Sequence, residues 1–181
     1  VTVLNVGINQ TRTGVIDALK SMGGQLTILN RRFEGGEEVA DIMAESSNLK
    51  AIEISGALVP RLIDEIPVIS LAACFAQGTT IIRDAAELRV KESDRIKATV
   101  TELSRLGGNL KELKDGMEIK GTGMLTGASG WSHGDHRLAM TLGVAGLLAN
   151  GETEIAGSES AGVSYPTFWN DIQLLVKGSS V

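Results

Sequence analysis

Apolar residues fall in short runs whose period switches between two values along the chain. Thr2–Val6 and Gln25–Leu29 alternate as half-buried strands do, and Gly14–Met22 between them has helical spacing. The stretch around Arg31–Glu38 follows neither period and reads as irregular. Ala51-Ile52-Glu53-Ile54 reads as a strand, Asp64–Gln77 as a nearly uniformly apolar helix, and Thr79–Ile82 as the next strand. Beyond it come a helix at Asp94–Leu106, strands at Asn109–Leu113 and Met117–Lys120, and a helix at His136–Leu148. A last helix is predicted at Pro166–Val176, with a frayed tail at Gly178–Val181.

The pattern repeats. Ala18-Leu19-Lys20-Ser21-Met22-Gly23-Gly24-Gln25-Leu26 parallels Glu102-Leu103-Ser104-Arg105-Leu106-Gly107-Gly108-Asn109-Leu110 at an offset of 84 residues. Each is a helix stopped by Gly-Gly and followed by a strand. Asp64–Gly78 with Thr79–Ile82 likewise parallels Asp135–Gly151 with Glu152–Ile155. The two interleaved pairs define a unit of roughly 70–85 residues. The whole chain, 1–181, reads as a single domain: unit one at 1–78, unit two at 79–151 and a partial unit three at 152–177. With about two and a half units present, the class is α+β with βαβ-type crossovers.

Composition narrows the partners. A 181-residue chain that is 43% hydrophobic and 22% charged suits one packed domain. No apolar run approaches the roughly 18 residues of a membrane span. A net charge of −5 argues against general nucleic-acid binding, and the 3% aromatics are too scattered for base stacking. Cys74, in Leu-Ala-Ala-Cys-Phe-Ala, can form no internal disulfide and reads as core, as expected of a reducing, cytoplasmic compartment. The chain starts at Val1; neither a signal nor a transit peptide is expected, and the chain is expected to be a piece of a longer protein.

The loops that enter the helices carry the candidate chemistry: Thr11-Arg12-Thr13-Gly14, Arg89-Val90-Lys91-Glu92-Ser93-Asp94-Arg95 and Gly134-Asp135-His136-Arg137. Asp94 and Asp135 fit as N-caps, which places Arg95 and Arg137 in first helical turns. A cation there opposes the positive end of the helix dipole, an arrangement that becomes sensible when an anion lies between them. The competing reading makes these arginines solvated surface residues paired with Glu92, Asp94 and Asp135. Asp64 and Glu92 could move protons on a bound phosphorylated substrate, although Asp64 also fits as a plain N-cap. His133 and His136 have chelating spacing but no further ligand cluster, and no glycine-rich phosphate loop is present.

These motifs, with Asn5-Val6-Gly7, Pro60-Arg61-Leu62-Ile63-Asp64-Glu65-Ile66-Pro67 and Val163-Ser164-Tyr165-Pro166, resemble the C-terminal part of the 5-enolpyruvylshikimate-3-phosphate synthase family (3-phosphoshikimate 1-carboxyvinyltransferases) over nearly the whole chain. The wording is closer to the bacterial or cyanobacterial, glyphosate-tolerant type than to the plant type.

The resemblance implies an enolpyruvyl transferase fold, with two domains of three βαβαββ units each around a pseudo-threefold axis and helix N-termini facing the interdomain cleft. It implies a monomeric cytoplasmic parent whose missing N-terminal half completes the site. It also implies transfer of a carboxyvinyl group from phosphoenolpyruvate to shikimate 3-phosphate, in the shikimate pathway of aromatic amino acid biosynthesis. The roles so implied are catalytic for Asp64 and Glu92. Lys91 would bind shikimate 3-phosphate, Arg95 and Arg137 would bind phosphoenolpyruvate, and His136 would lie near the ligand. No metal or organic cofactor is expected, nor a nucleic-acid or membrane partner, and the isolated domain is expected to be inactive. Two positions depart from the family pattern: Val163 stands where some members carry lysine, and Glu87 where others carry asparagine. The alternatives are a fragment of the related UDP-N-acetylglucosamine enolpyruvyl transferase and a non-catalytic phosphate-binding module.

Overall fold

A computed structural model describes residues 1–178 of the chain; Ser179–Val181 of the expected tail lie outside the described residues. Strand β1 (Thr2–Gly7) leads into helix α1 (Gly14–Ser21). Strands β2 (Gln25–Glu34) and β3 (Glu37–Glu45) then form a long antiparallel hairpin, with β1 on the free side of β3. This hairpin replaces the irregular region expected at Arg31–Glu38. Its two-residue turn is Gly35-Gly36, both at positive φ (60° and 89°), the backbone that matches strand twist in tight hairpins. Its alternation is broken by a register shift between Leu29 and Arg32, where Asn30 takes φ 52° and donates to Asp41 at 2.8 Å. The bulge hides the period-2 signal exactly where the chain turns polar.

Strand β4 is shorter than expected, only Glu53–Ile54. The helix expected at Asp64–Gln77 starts two residues later and ends three earlier, and a separate short helix precedes it. Helix α2 (Val59–Leu62) passes into a 3-10 turn at Ile63–Glu65 before helix α3 (Ile66–Cys74). Pro67 explains the separation: it has no N–H to donate to Ile63, and its ring crowds that carbonyl. Strand β5 (Thr79–Ile82) pairs parallel with β4 and antiparallel with β7 (Met117–Lys120), which also pairs with β6 (Asn109–Glu112). Helix α4 (Arg95–Arg105) precedes β6. Short strands β8 (Leu125–Thr126) and β9 (Ser129–Trp131) follow β7, and helix α5 (His136–Leu148) runs into β10 (Ala149–Asn150). Strand β11 (Glu154–Ala156) comes next, then a 3-10 turn at Ser158–Val163 and helix α6 (Phe168–Gly178). The pairs β8–β10 and β9–β11 are parallel.

The Gly-Gly repeat has one structural meaning in both places. Gly23 and Gly107 take φ 89° and 86°, and the next glycine donates back to Leu19 (2.8 Å) or Leu103 (2.9 Å). Both are Schellman caps, in which a left-handed residue lets the chain leave the helix with its last carbonyls satisfied. Helix α3 carries no charge and is buried on nearly all sides, the signature of a central helix. It packs against α1, α4 and α5. Ile66, Ile69, Leu71, Ile82, Leu88, Ile96, Leu103 and Leu142 share one core with it. Cys74 sits in that core, and burial pushes its thiol up to about 12, which leaves it unreactive.

Candidate active site

The loops before α1, α4 and α5 and the 3-10 turn before α3 bring their charged residues to one place. Asp94 caps α4 by accepting from the Lys97 N–H (3.0 Å), and Asp135 caps α5 by accepting from the Arg137 N–H (2.8 Å). Both caps are where the sequence put them. Arg95 and Arg137 therefore leave their helices in the first turn, and both turn toward Asp64.

Arg95 is the centre of the cluster. Its side chain is 1% exposed, so it is not the solvated surface arginine of the competing reading. Nε and Nη2 form a fork on Asp135 (2.7 and 3.3 Å), Nη2 also donates to Glu92 (2.6 Å), and Nη1 donates to Asp64 (3.2 Å). Burial pulls the Arg95 pKa down, but hydrogen bonds and charge from Asp135, then the charges of Glu92 and Asp64, more than offset it and raise it above its ordinary value. Asp135, fully buried, is pushed up by desolvation. The fork from Arg95, the Arg137 N–H and the Ser93 hydroxyl (3.1 Å) outweigh this and hold it below its ordinary value. Both groups stay ionised in the interior.

Arg137 donates to Glu65 (3.0 Å) and lies 3.6 Å from Asp64. Arg12 donates to the same carboxylate at 3.4 Å. Asp64 therefore faces three guanidiniums, one from the loop before α1 and two from the first turns of α4 and α5. It is not the N-cap that was its alternative reading: Glu65 holds that position on α3, with no side-chain capping bond. Beside Asp64 and Arg137 opens a cavity of about 230 Å³ whose wall is apolar, formed by Val68, Met140, Val144 and Phe168.

Lys91 pairs with Glu87, one of the two positions that depart from the family pattern. His136 is the first residue of α5 and is half-buried, and its ring has no hydrogen-bond partner among the described residues. His133 contacts the buried Glu102 at 2.7 Å. No group of three metal-ligating side chains occurs among the described residues. Val163, the other departure, is exposed at the end of the 3-10 turn.

Three contributors carry no motif of their own. Glu65 holds Arg137, Ser93 holds Asp135, and Arg89 ties the Lys91–Glu92 loop to the β6–β7 hairpin. Arg89 donates to the carbonyls of Lys114 (2.9 Å) and Leu113 (2.6 Å) and to Asp94 (2.8 Å). Arg89 and Ser93 stand inside the conspicuous loop motif and Glu65 beside Asp64, but only tertiary folding supplies their partners.

Known proteins share the fold that carries these residues. The structure matches EPSP synthase from Acinetobacter baumannii with a TM-score of 0.89 at 44% identity, over 92% of this chain and 39% of that one. It also matches the enolpyruvyl transferase NikO from Streptomyces tendae with a TM-score of 0.68 at 20% identity, which speaks for the fold alone. The molecule thus has the α+β enolpyruvyl transferase fold. The chain belongs to the family described as EPSP synthase (3-phosphoshikimate 1-carboxyvinyltransferase), which it matches over residues 1–172. A curated relative, the 3-phosphoshikimate 1-carboxyvinyltransferase of Synechococcus elongatus, is 55% identical over 172 residues, 95% of this chain and 38% of the relative. The chain spans about two fifths of the length of the curated relatives it matches.

Proposed function

We propose that this chain forms one domain of an enzyme that joins phosphoenolpyruvate to shikimate 3-phosphate and releases phosphate, in the shikimate pathway of aromatic amino acid biosynthesis. Its parts are unit one at 1–78, unit two at 79–151 and a partial unit three at 152–177. The observation that carries the reading is the convergence of Arg95 and Arg137 on Asp64 and Asp135 at the starts of α4 and α5. The matched family favours shikimate 3-phosphate over the UDP-sugar alternative, and paired carboxylates among the cations favour proton transfer over a passive phosphate module.

In the reaction a hydroxyl of shikimate 3-phosphate adds to the substituted carbon of phosphoenolpyruvate. The methylene carbon takes a proton and becomes a methyl group; phosphate then leaves as the methyl gives up a proton, which restores the double bond. Asp64 is the base for the hydroxyl, and the guanidiniums around it hold it in place. Glu92, hydrogen-bonded to Arg95 on one side and half-exposed on the other, exchanges the proton at the methylene carbon. Arg137 and Arg95 bind phosphoenolpyruvate. Arg95 is so fully engaged that an anion reaches it only in exchange for Glu92 or Asp64. Lys91 binds the shikimate phosphate after leaving Glu87, and His136 lines the ligand. These fixed charges provide the electrostatic stabilisation, with no metal or cofactor step.

The rest of a monomeric cytoplasmic parent closes the site, and the isolated domain is inactive. No helix among the described residues is long and apolar enough to cross a membrane. The test is phosphate release from phosphoenolpyruvate in the presence of shikimate 3-phosphate by the full-length parent. Asp64→Ala and Arg137→Ala should each lower kcat by about a hundredfold or more. Wild-type rates in both variants overturn the assignment.

A further inference from the structure

Arg12 lies on the loop before α1, outside the Arg95–Asp135 core of the cluster. The loop is built to present it. Asn9 Oδ1 accepts from the backbone N–H (3.0 Å) and hydroxyl (2.8 Å) of Thr11, and the Arg12 N–H donates to the Asn9 carbonyl (2.9 Å). Arg61 grips the same loop from behind, donating to the Gln10 carbonyl (2.7 Å) and the Thr13 hydroxyl (3.1 Å). Gly14 packs so closely that an added Cβ would stand 2.7 Å from the Arg61 carbonyl carbon. The backbone is pinned from two sides while the Arg12 guanidinium reaches out, 62% exposed, with Asp64 at 3.4 Å as its sole partner among the described residues.

The three guanidiniums facing Asp64 differ in how free they are. Arg95 is enclosed by three carboxylates, and Arg137 is shared between Glu65 and Asp64. Arg12 has one long, solvated contact, the kind that exchanges most readily for another anion. We propose that Arg12 is a substrate-contacting residue of this site, whose guanidinium moves from Asp64 to a phosphate or carboxylate of a bound substrate. The move frees one oxygen of Asp64 as the substrate arrives, so binding and exposure of the base are coupled. The inference rests on the proposed function and adds to it a cation that the sequence motifs leave without a role.

The test is steady-state kinetics of the full-length parent carrying Arg12→Ala, Arg12→Gln or Arg12→Lys, with phosphoenolpyruvate and shikimate 3-phosphate each varied at saturating levels of the other. Arg12→Ala and Arg12→Gln should raise the KM of one of the two by about tenfold or more, while kcat changes less than about threefold. Arg12→Lys should recover part of the loss. The substrate whose KM moves identifies the anion. Unchanged KM for both substrates in Arg12→Ala and Arg12→Gln, with Arg137→Ala still inactive, overturns the inference and leaves the site reading intact. A fall in kcat alone also overturns it, because Arg12 then acts only through Asp64. Full activity in Arg137→Ala and Asp64→Ala removes the site reading itself. Thermal melts of the Arg12 variants should match the wild type, since the guanidinium is exposed and the loop is held by other groups.

Discussion

Asp135 accepts four hydrogen bonds and is fully buried, and Arg95 supplies two of the four. Removing one partner of such a pair leaves an uncompensated charge in the interior. Asp135→Asn should therefore destabilise the protein by about 3–5 kcal/mol, measured by urea unfolding. The pH dependence follows from the lowered pKa. The native state holds Asp135 ionised below its ordinary titration range, so its contribution is complete above the unfolded-state value near ~3.9. It is lost as pH falls through the lower folded-state value. Thermal midpoints of the wild type should drop below about pH 4, and Asp135→Asn should flatten that drop. An equally steep drop in the variant would show that other carboxylates govern it. The residues of this pair were legible in the sequence as a cap and a first-turn arginine. Their partner Ser93 was not, nor was Glu65 as the partner of neighbouring Arg137, because hydrogen bonds between residues 42 or 72 positions apart leave no local period.

The helix ends are the most legible elements, because their chemistry is local. Gly23 and Gly107 both need the left-handed backbone, and an added Cβ at either would meet nothing closer than 3.7 Å. The cost of Gly23→Ala and Gly107→Ala is thus conformational, about 1 kcal/mol each and similar at the two sites, readable from denaturant midpoints. Gly108→Ala should cost more, since its Cβ would stand 2.7 Å from the Leu110 Cδ1 and 2.8 Å from the Leu103 carbonyl oxygen. A Gly108 variant as stable as the Gly107 variant would refute this distinction. The elements that the sequence concealed are those where a local rule is broken for a reason. Pro67 separates α3 from the short helix α2 by a 3-10 turn, and that turn places Asp64 and Glu65 on the cluster. The bulge at Asn30 likewise disguises β2 as loop, and the charged, partly covered β3 offers only a faint alternation.

Across the molecule the cluster is close to neutral by itself. Arg12, Arg95 and Arg137 face Asp64, Glu65, Glu92 and Asp135, and Lys91 faces Glu87. Every cation is already matched and one carboxylate is in excess. A surface so balanced offers little net attraction to multiply charged anions, and salt screens what the exposed groups do provide. Under the proposed function the remaining cations would come from the rest of a longer parent; the chain spans about two fifths of its relatives. The isolated chain should accordingly bind phosphoenolpyruvate and shikimate 3-phosphate with a Kd of about 1 mM or weaker, a binding free energy near ~−4 kcal/mol. Titration followed by NMR should show small, fast-exchange shifts that weaken further with added salt. The shifts should centre on the Arg12 and Arg137 loops, while Arg95 and Asp135, locked to each other, move least. Submicromolar binding would mean that one wall of the cleft suffices, and would return the chain to the class of self-contained phosphate-binding modules.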